Sequence, residues 1–285
     1  MKKLISLLLT AAMLASFALT GCGSGSTETT TAEGGQTTEE TTQEETSSDD
    51  KKVFVYPADQ DVSNLLPSSG GSDSVAVMYK PLYDPLYIIN NAETRYYLVD
   101  KLEVSDDGLN IKLHFNENAK WHDGEPVTVD DLLFTLKYFT EGATKTSTTY
   151  TKINGEDVVY EKVDDYNVNI TLPSYLSKFV TTLGRLCIYP EHVFNGDVTT
   201  VETSDAAMQG IGNGPFKLKE WNKGENIIYE KNTDYYRGEA KIDELIMKII
   251  PDSSAKEVAF QSGEVSCLRI SSKEKYEKYS ADENY

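Results

Sequence analysis

The sequence predicts an α/β domain built on a mixed sheet, and three observations carry that expectation. First, apolar residues alternate with polar ones at the period of a half-buried strand: Leu109, Ile111, Leu113 and Phe115, then Val168, Ile170 and Leu172. Second, Thr128-Val129-Asp130-Asp131 and Pro251-Asp252 read as helix starts, each followed by apolar residues at helical spacing. Third, strands and helices alternate along the chain while several neighbouring strands look like hairpins, so the sheet is neither wholly parallel nor wholly antiparallel.

The elements follow in order. Residues 52–56 (Lys-Val-Phe-Val-Tyr) read as a first strand that Pro57 should end. Ser68-Ser69-Gly70-Gly71-Ser72-Asp73 is a polar loop. Ser72 or Asp73 can cap a helix carrying Val75, Val77, Met78 and Leu82, although Pro81 would end or kink it. Asp106-Asp107-Gly108 is a turn into the strand at 109–115. The helix after Thr128 carries Leu132, Leu133, Leu136 and Phe139. Pro173 and Ser174 should start a helix through Leu176, Phe179, Val180 and Leu183, and Pro190 the first turn of a short one. Residues 216–221 and 227–230 read as two strands across the turn 222–225. Residues 245–250 read as another strand, and the helix after Asp252 runs to a stop at Gly263.

The amino end has a different character. Met1-Lys2-Lys3 is a positive start, and residues 4–19 form an apolar run broken only by Ser6, Thr10 and Ser16. That run is too short for a lasting membrane span but suits a signal sequence. Leu19-Thr20-Gly21-Cys22 resembles the bacterial lipobox, which implies cleavage after residue 21 and a diacylated Cys22. Two acyl chains anchor stably where one does not. Residues 23–50 hold eight acids, no Lys or Arg, and no aromatic or branched aliphatic residue. Such a stretch cannot bury enough apolar surface to offset its ordering entropy, and its like charges extend it. The expected division is therefore a signal peptide at 1–21, a lipidated and disordered acidic tether at 22–51, and a folded part from 52.

The 285-residue chain carries a formal net charge of −19. Setting aside Lys2, Lys3 and the eight acids of the tether leaves −13 on the folded part, which argues against nucleic acid as a partner. Besides Cys22 there are Cys187 and Cys267, which in an oxidising compartment form one disulfide or remain two buried thiols. Eighteen tyrosines against nine Phe and two Trp suit an adaptable binding surface, although core packing accounts for many of them. His114, His122 and His192 share no metal-ligand spacing, so no metal site is expected. No G-x-S-x-G, P-loop or H-E-x-x-H pattern occurs, and the acidic pairs lie at turns or helix starts, where they serve backbone ends. The expectation is a protein without catalytic chemistry or cofactor.

Three blocks stand out. One is Val104-Ser105-Asp106-Asp107-Gly108-Leu109 with Leu113-His114-Phe115-Asn116-Glu117-Asn118-Ala119-Lys120-Trp121-His122-Asp123-Gly124-Glu125-Pro126-Val127-Thr128. The second is Gly212-Asn213-Gly214-Pro215-Phe216-Lys217-Leu218, then Trp221 and Asn232-Thr233-Asp234-Tyr235-Tyr236. The third is Ile250-Pro251-Asp252 with Gln261-Ser262-Gly263-Glu264-Val265. Physically, Trp121 to Gly124 is a turn pinned by a buried indole. Gly212 to Pro215 is a tight passage whose glycines admit close approach by another segment or by a ligand, with Asn213 a ligand contact or a turn-former. In order and spacing, over about residues 52–270, the blocks closely resemble family 5 extracellular solute-binding proteins, the oligopeptide, dipeptide and nickel receptors of ABC importers.

The resemblance implies a two-lobe type II periplasmic-binding-protein-like fold hinged around its ligand. Residues 52–265 would form the first lobe, in two interleaved subdomains, and 266–285 the start of the second. Members usually run well beyond 285 residues, so the expectation is a fragment, mainly first lobe, whose segment beyond about 266 packs poorly. By the same resemblance Ser68, Ser69 and Gly70 touch the solute from the first lobe and Tyr150 falls near a pocket tyrosine. Asn213 and Gly214 complete the candidate set. The implied function is capture of oligopeptides or dipeptides for delivery to ABC permease subunits, with the lipid anchor as membrane contact. A nickel, haem or oligosaccharide receptor and an extracytoplasmic sensor lipoprotein are the alternatives. The anchor is tested by Cys22→Ser: the variant should appear in the soluble fraction, and continued pelleting with membranes in high salt would refute lipidation at Cys22.

Overall fold

The structure, a computed structural model, describes residues 51–67, 73–91, 93–142 and 149–282. The signal, Cys22, nearly all of the tether and the loop residues Ser68, Ser69 and Gly70 lie outside them.

The chain opens with β1 (Val53–Ala58) and α1 (Asp73–Tyr79), then the hairpin β2 (Tyr87–Asn90) and β3 (Glu93–Tyr96). Next come β4 (Val99–Val104), β5 (Asn110–Phe115) and α2 (Val129–Glu141). A two-stranded ribbon of β6 (Lys152–Ile153) and β7 (Glu156–Asp157) precedes β8 (Val159–Lys162), β9 (Asn167–Thr171) and α3 (Phe179–Gly184). Two 3-10 turns, Glu191–Phe194 and Asp205–Met208, lead to β10 (Phe216–Asn222), β11 (Asn226–Lys231) and β12 (Glu244–Ile249). α4 (Ser253–Gln261) and α5 (Lys273–Ser280) follow.

These elements build two four-stranded sheets. One has the order β1-β12-β11-β10 and is mixed, because β1 runs parallel to β12 while the other pairs are antiparallel. The other, β4-β5-β9-β8, is antiparallel throughout. Its inward residues are the alternating ones, Ile111, Leu113 and Phe115 on β5 and Val168 and Ile170 on β9. They join one continuous apolar core with Leu132, Leu136 and Phe139 of α2.

The helix starts follow from caps. Thr128 accepts from the Asp130 N–H, and Asp131 reaches back to the Thr128 N–H at 2.9 Å, which closes the box the spacing predicts. Asp131 does more than cap. Only 4% exposed, it also accepts from the Trp121 indole at 3.2 Å and from the Glu191 N–H at 2.9 Å. Trp121, 2% exposed, is the pinned indole. Asp252 caps α4 through the Ala255 N–H, and Ser272 caps α5 through the Lys275 N–H. Gly108 and Gly263 take the positive φ their turns require, +70° and +76°.

Three expectations need correction. Pro57 does not end β1, which runs on to Ala58. The strand lies at a sheet edge, and the Val55 N–H and C=O both face outward, to Ser266. By strand parity the N–H that Pro57 lacks would also point outward, so no ladder bond is lost. The helix expected from Pro173 begins only at Phe179. Ser174 accepts from the Asn154 amide instead of capping, and Tyr175, 67% exposed, lies against Gly108. The segment beyond 266 is exposed along most of its length, as expected, but it is docked at one point rather than loose. Tyr279 is 5% exposed, meets Phe260 edge-on at 5.6 Å, and donates to Glu257, which Lys275 and Lys278 also reach. α4 supplies the partners that the expectation took to be missing.

Candidate functional site

The segment from Pro81 to Asp84 is where the chain crosses itself. Leu82 C=O accepts two N–H groups at once, from Asn213 at 2.9 Å and Gly214 at 2.8 Å, and Pro81 C=O accepts from Phe216 at 3.1 Å. A Cβ at position 212 would stand 1.9 Å from the Leu82 oxygen, and one at 214 would stand 2.7 Å from the Pro81 oxygen. Only glycine fits there, and the reason is proximity: neither residue has a positive φ.

His122 clasps the same passage from the other side. Its N–H donates to Gly212 C=O at 2.7 Å, and the Gly212 N–H donates to its Nδ1 at 3.1 Å. An accepting Nδ1 leaves the proton on Nε2, which donates to Gly214 C=O at 3.1 Å. The imidazole is thus held neutral, and burial, together with the nearby Lys217 charge, pushes its pKa down to about 4. The bonds to the passage oppose that shift without reversing it.

Asp84 completes the junction. It is 4% exposed, its N–H donates to Asn213 Oδ1 at 2.8 Å, and its Oδ2 accepts from both Tyr235 and Tyr236 at 2.7 Å. Burial raises its pKa against those two hydroxyls and the nearby Arg237. Asn232 ties in through its amide on Gly214 C=O at 3.1 Å. Asn213 is 0% exposed and its Nδ2 has no partner among the described residues. Asn213 and Gly214 therefore sit inside the crossing, in the turn-forming role, with their backbone N–H groups spent on Leu82. Reasoning from sequence missed Asp84 and the role of Leu82, which was expected on the helix but lies past its end at Tyr79. Nothing local marks them, since their roles arise only when 212–214 and 235–236 arrive.

Tyr150 lies elsewhere, on a concave face. Its ring stacks on Phe139 at 5.6 Å and its carbonyl accepts from Tyr160 at 2.7 Å, so it is fixed at both ends. Burial raises its hydroxyl pKa. It forms the wall between two depressions. One, of about 190 Å³, is lined by Pro67, Tyr79, Phe139 and Cys187; the other, of about 430 Å³, by Ser177, Lys178, Thr181 and Thr182; Arg185 borders both. A third cavity of about 540 Å³ lies between the end of β1, α1 and the 267–271 segment, with Asp73, Ser74, Lys80 and Arg269 among its walls. The described residues on either side of the predicted contact loop, Pro67 and Asp73, thus line two different hollows. Cys187 and Cys267 are both free and line separate cavities, and burial pushes the Cys187 thiol up to about 12. Among the described residues no group of three or more His, Cys, Asp or Glu could hold a metal ion, and no helix is long and apolar enough to cross a membrane.

A mixed sheet with parallel β1 and a second antiparallel sheet, joined by such a crossing, is the first-lobe architecture of type II periplasmic binding proteins. The structure is similar to the ABC transporter substrate-binding protein CtaP of Listeria monocytogenes (27% identity, TM-score 0.71), covering 81% of this chain and 47% of that one. It is also similar to the oligopeptide-binding protein AppA of Bacillus subtilis in complex with a nonapeptide (27%, TM-score 0.63), covering 75% and 43%. In sequence it is 29% identical to Bacillus subtilis AppA over 229 residues, 72% of this chain and 41% of the relative. The model for bacterial extracellular solute-binding proteins, family 5 (middle), matches residues 93–285. The chain belongs to that family, and it spans less than half the length of these relatives.

The His122 clasp makes a pH prediction. Below about pH 6.5 the unfolded chain takes up a proton at this imidazole that the folded chain refuses until about pH 4. The stability due to neutral His122 is therefore full above pH 6.5 and is lost as pH falls to 4, by up to about 3 kcal/mol. Asp131, raised to about 6 by burial, acts in the opposite sense between pH 3.8 and 6, so the two must be separated. Urea unfolding of the protein and its His122→Gln variant should give a stability difference that shrinks steadily from pH 7 to pH 4.5. A difference independent of pH would contradict a neutral, buried imidazole.

Proposed function

We propose that the protein captures peptides outside the membrane and delivers them to the permease of an ABC importer, held at the outer face by lipid on Cys22. The observation that carries this reading is the fixed, half-buried Tyr150 at the wall of two hollows, on a chain belonging to a family whose relatives include peptide-binding proteins. Tyrosine suits the task. Its ring offers a flat apolar face to varied side chains, and its hydroxyl meets a peptide's amide groups. Residues 68–70, which follow Pro67 in the sequence, are proposed to contribute further peptide contacts. Asn213 and Gly214 act on the site by holding the lobe together rather than by touching solute.

In the proposed arrangement residues 52–265 supply the first wall of the solute cleft, and 266–285 begin the return toward the second. Residues 1–21 are removed and 22–51 hold the domain away from the lipid. No acid–base or nucleophilic step is assigned to any residue. The test uses the protein as encoded by its gene, purified from its host's membranes and equilibrated with a pool of peptides two to nine residues long. Mass spectrometry of the eluted solutes should find peptides, and Tyr150→Ala should lower the retained amount about tenfold, as loss of a buried aromatic contact implies. Retention of haem, nickel or an oligosaccharide with no peptide would overturn the reading.

A further inference from the structure

We infer that Arg185 makes the Tyr150 hollows selective for peptides bearing a carboxylate side chain, an inference that rests on the peptide-receptor reading above. The chain as a whole is acidic, with 46 Asp and Glu against 27 Lys and Arg. The two hollows flanking Tyr150 reverse that sign. Among the described residues their charged lining residues are Lys178 and Arg185, and no acid lines either one.

Some lysines elsewhere are paired with carboxylates, such as Lys162 with Asp130 and Asp165, Lys231 with Asp243, Lys248 with Glu264 and Lys275 with Glu257, while others among the described residues, such as Lys112 and Lys120, are not; what sets the hollows apart is the sign of their lining. Among the described residues Arg185 and Lys178 have no such partner. Lys80 adds to the same field from α1's end. It follows Tyr79, which lines the smaller hollow, and its charge acts on the Cys187 thiol there, where the buried Asp84 carboxyl acts more strongly in the opposite sense. The larger cavity by β1 differs: Asp59 and Asp73 offset its cations, and its Lys256 and Lys275 are already paired with Asp59 and Glu257.

The surroundings suit an anion. Ser177, Thr181 and Thr182 bring hydroxyl donors to the wall that Arg185 closes. A guanidinium presents paired N–H groups that match a carboxylate in two parallel bonds, and it cannot lose its charge near neutral pH. A lysine-bearing peptide would meet two unpaired cations at the hollow and be disfavoured. An uncharged one would leave the guanidinium to water.

The experiment walks a single Glu, Gln or Lys through alanine tetrapeptides and measures competition for the gene's full product. At the position that lies against Tyr150, Glu should bind about tenfold tighter than Gln, a difference of about 1.4 kcal/mol. Lys should bind weakest. Raising salt should narrow the gap. Arg185→Gln should bring the Glu-to-Gln ratio to within about twofold, and Arg185→Lys should restore part of it. Arg185 is exposed, so neither change threatens folding, and an unchanged thermal melt checks this. Peptide binding with no preference for Glu at any position, or a preference that survives Arg185→Gln, overturns this inference and leaves the receptor reading intact. Failure of every peptide to bind overturns both.

Discussion

Two N–H groups on one carbonyl, those of Asn213 and Gly214 on Leu82, hold the described structure together. The contact brings a segment just after α1 against a segment just before β10, some 130 positions apart in sequence. β10 belongs to the mixed sheet. The residues after Leu82 lead through the β2–β3 hairpin into β4 of the antiparallel sheet. Buried polar groups must be satisfied, and here most are satisfied by another part of the same crossing, the Asn213 Nδ2 being the exception among the described residues. His122 bonds both glycines, Asn232 bonds Gly214, and Asp84 takes Asn213 on one side and two tyrosine hydroxyls on the other.

This junction gives a physical reason for sequence blocks that otherwise look unrelated. Trp121-His122, Gly212-Asn213-Gly214-Pro215 and Asn232 to Tyr236 lie far apart along the chain, yet each contributes to one network. Trp121 anchors the turn that presents His122, through its indole bond to Asp131. Asp131 in turn bridges the α2 cap to the backbone at Glu191. A capping residue thereby fixes both the start of a helix and the imidazole clasp. The face around Tyr150 is built from α1, α2 and α3, elements that this framework positions without entering it.

Much of the fold was legible because its signals are local. The alternation at 109–115 and 168–172, the Thr128–Asp131 box and the Asp252 cap each require only neighbouring residues, and each element formed where it was expected. The failures were contextual. Pro57 was read as a strand end because a sequence does not say which edge its missing N–H would face. Pro173 and Ser174 were read as a helix start because nothing local shows Asn154 reaching Ser174. At the site, Tyr150 stood out through resemblance, whereas Arg185 and Lys178 did not. Their proposed role rests on the lack of acids among the described residues lining the hollows, which only three-dimensional packing reveals. Asn213 stood out for its neighbours, but its complete burial gives it a task inside the lobe.

The most direct test of the junction is the free energy of urea unfolding of Gly212→Ala. The added methyl would stand 1.9 Å from the Leu82 oxygen, and φ at 212 is not positive, so the collision rather than a left-handed backbone is what the variant tests. If the crossing holds the two sheets together, the substitution should cost about 3 kcal/mol or more, in the range of severe overpacking at a buried site. A variant within about 0.5 kcal/mol of the parent, the range of ordinary surface changes, would show that the lobe does not depend on this contact.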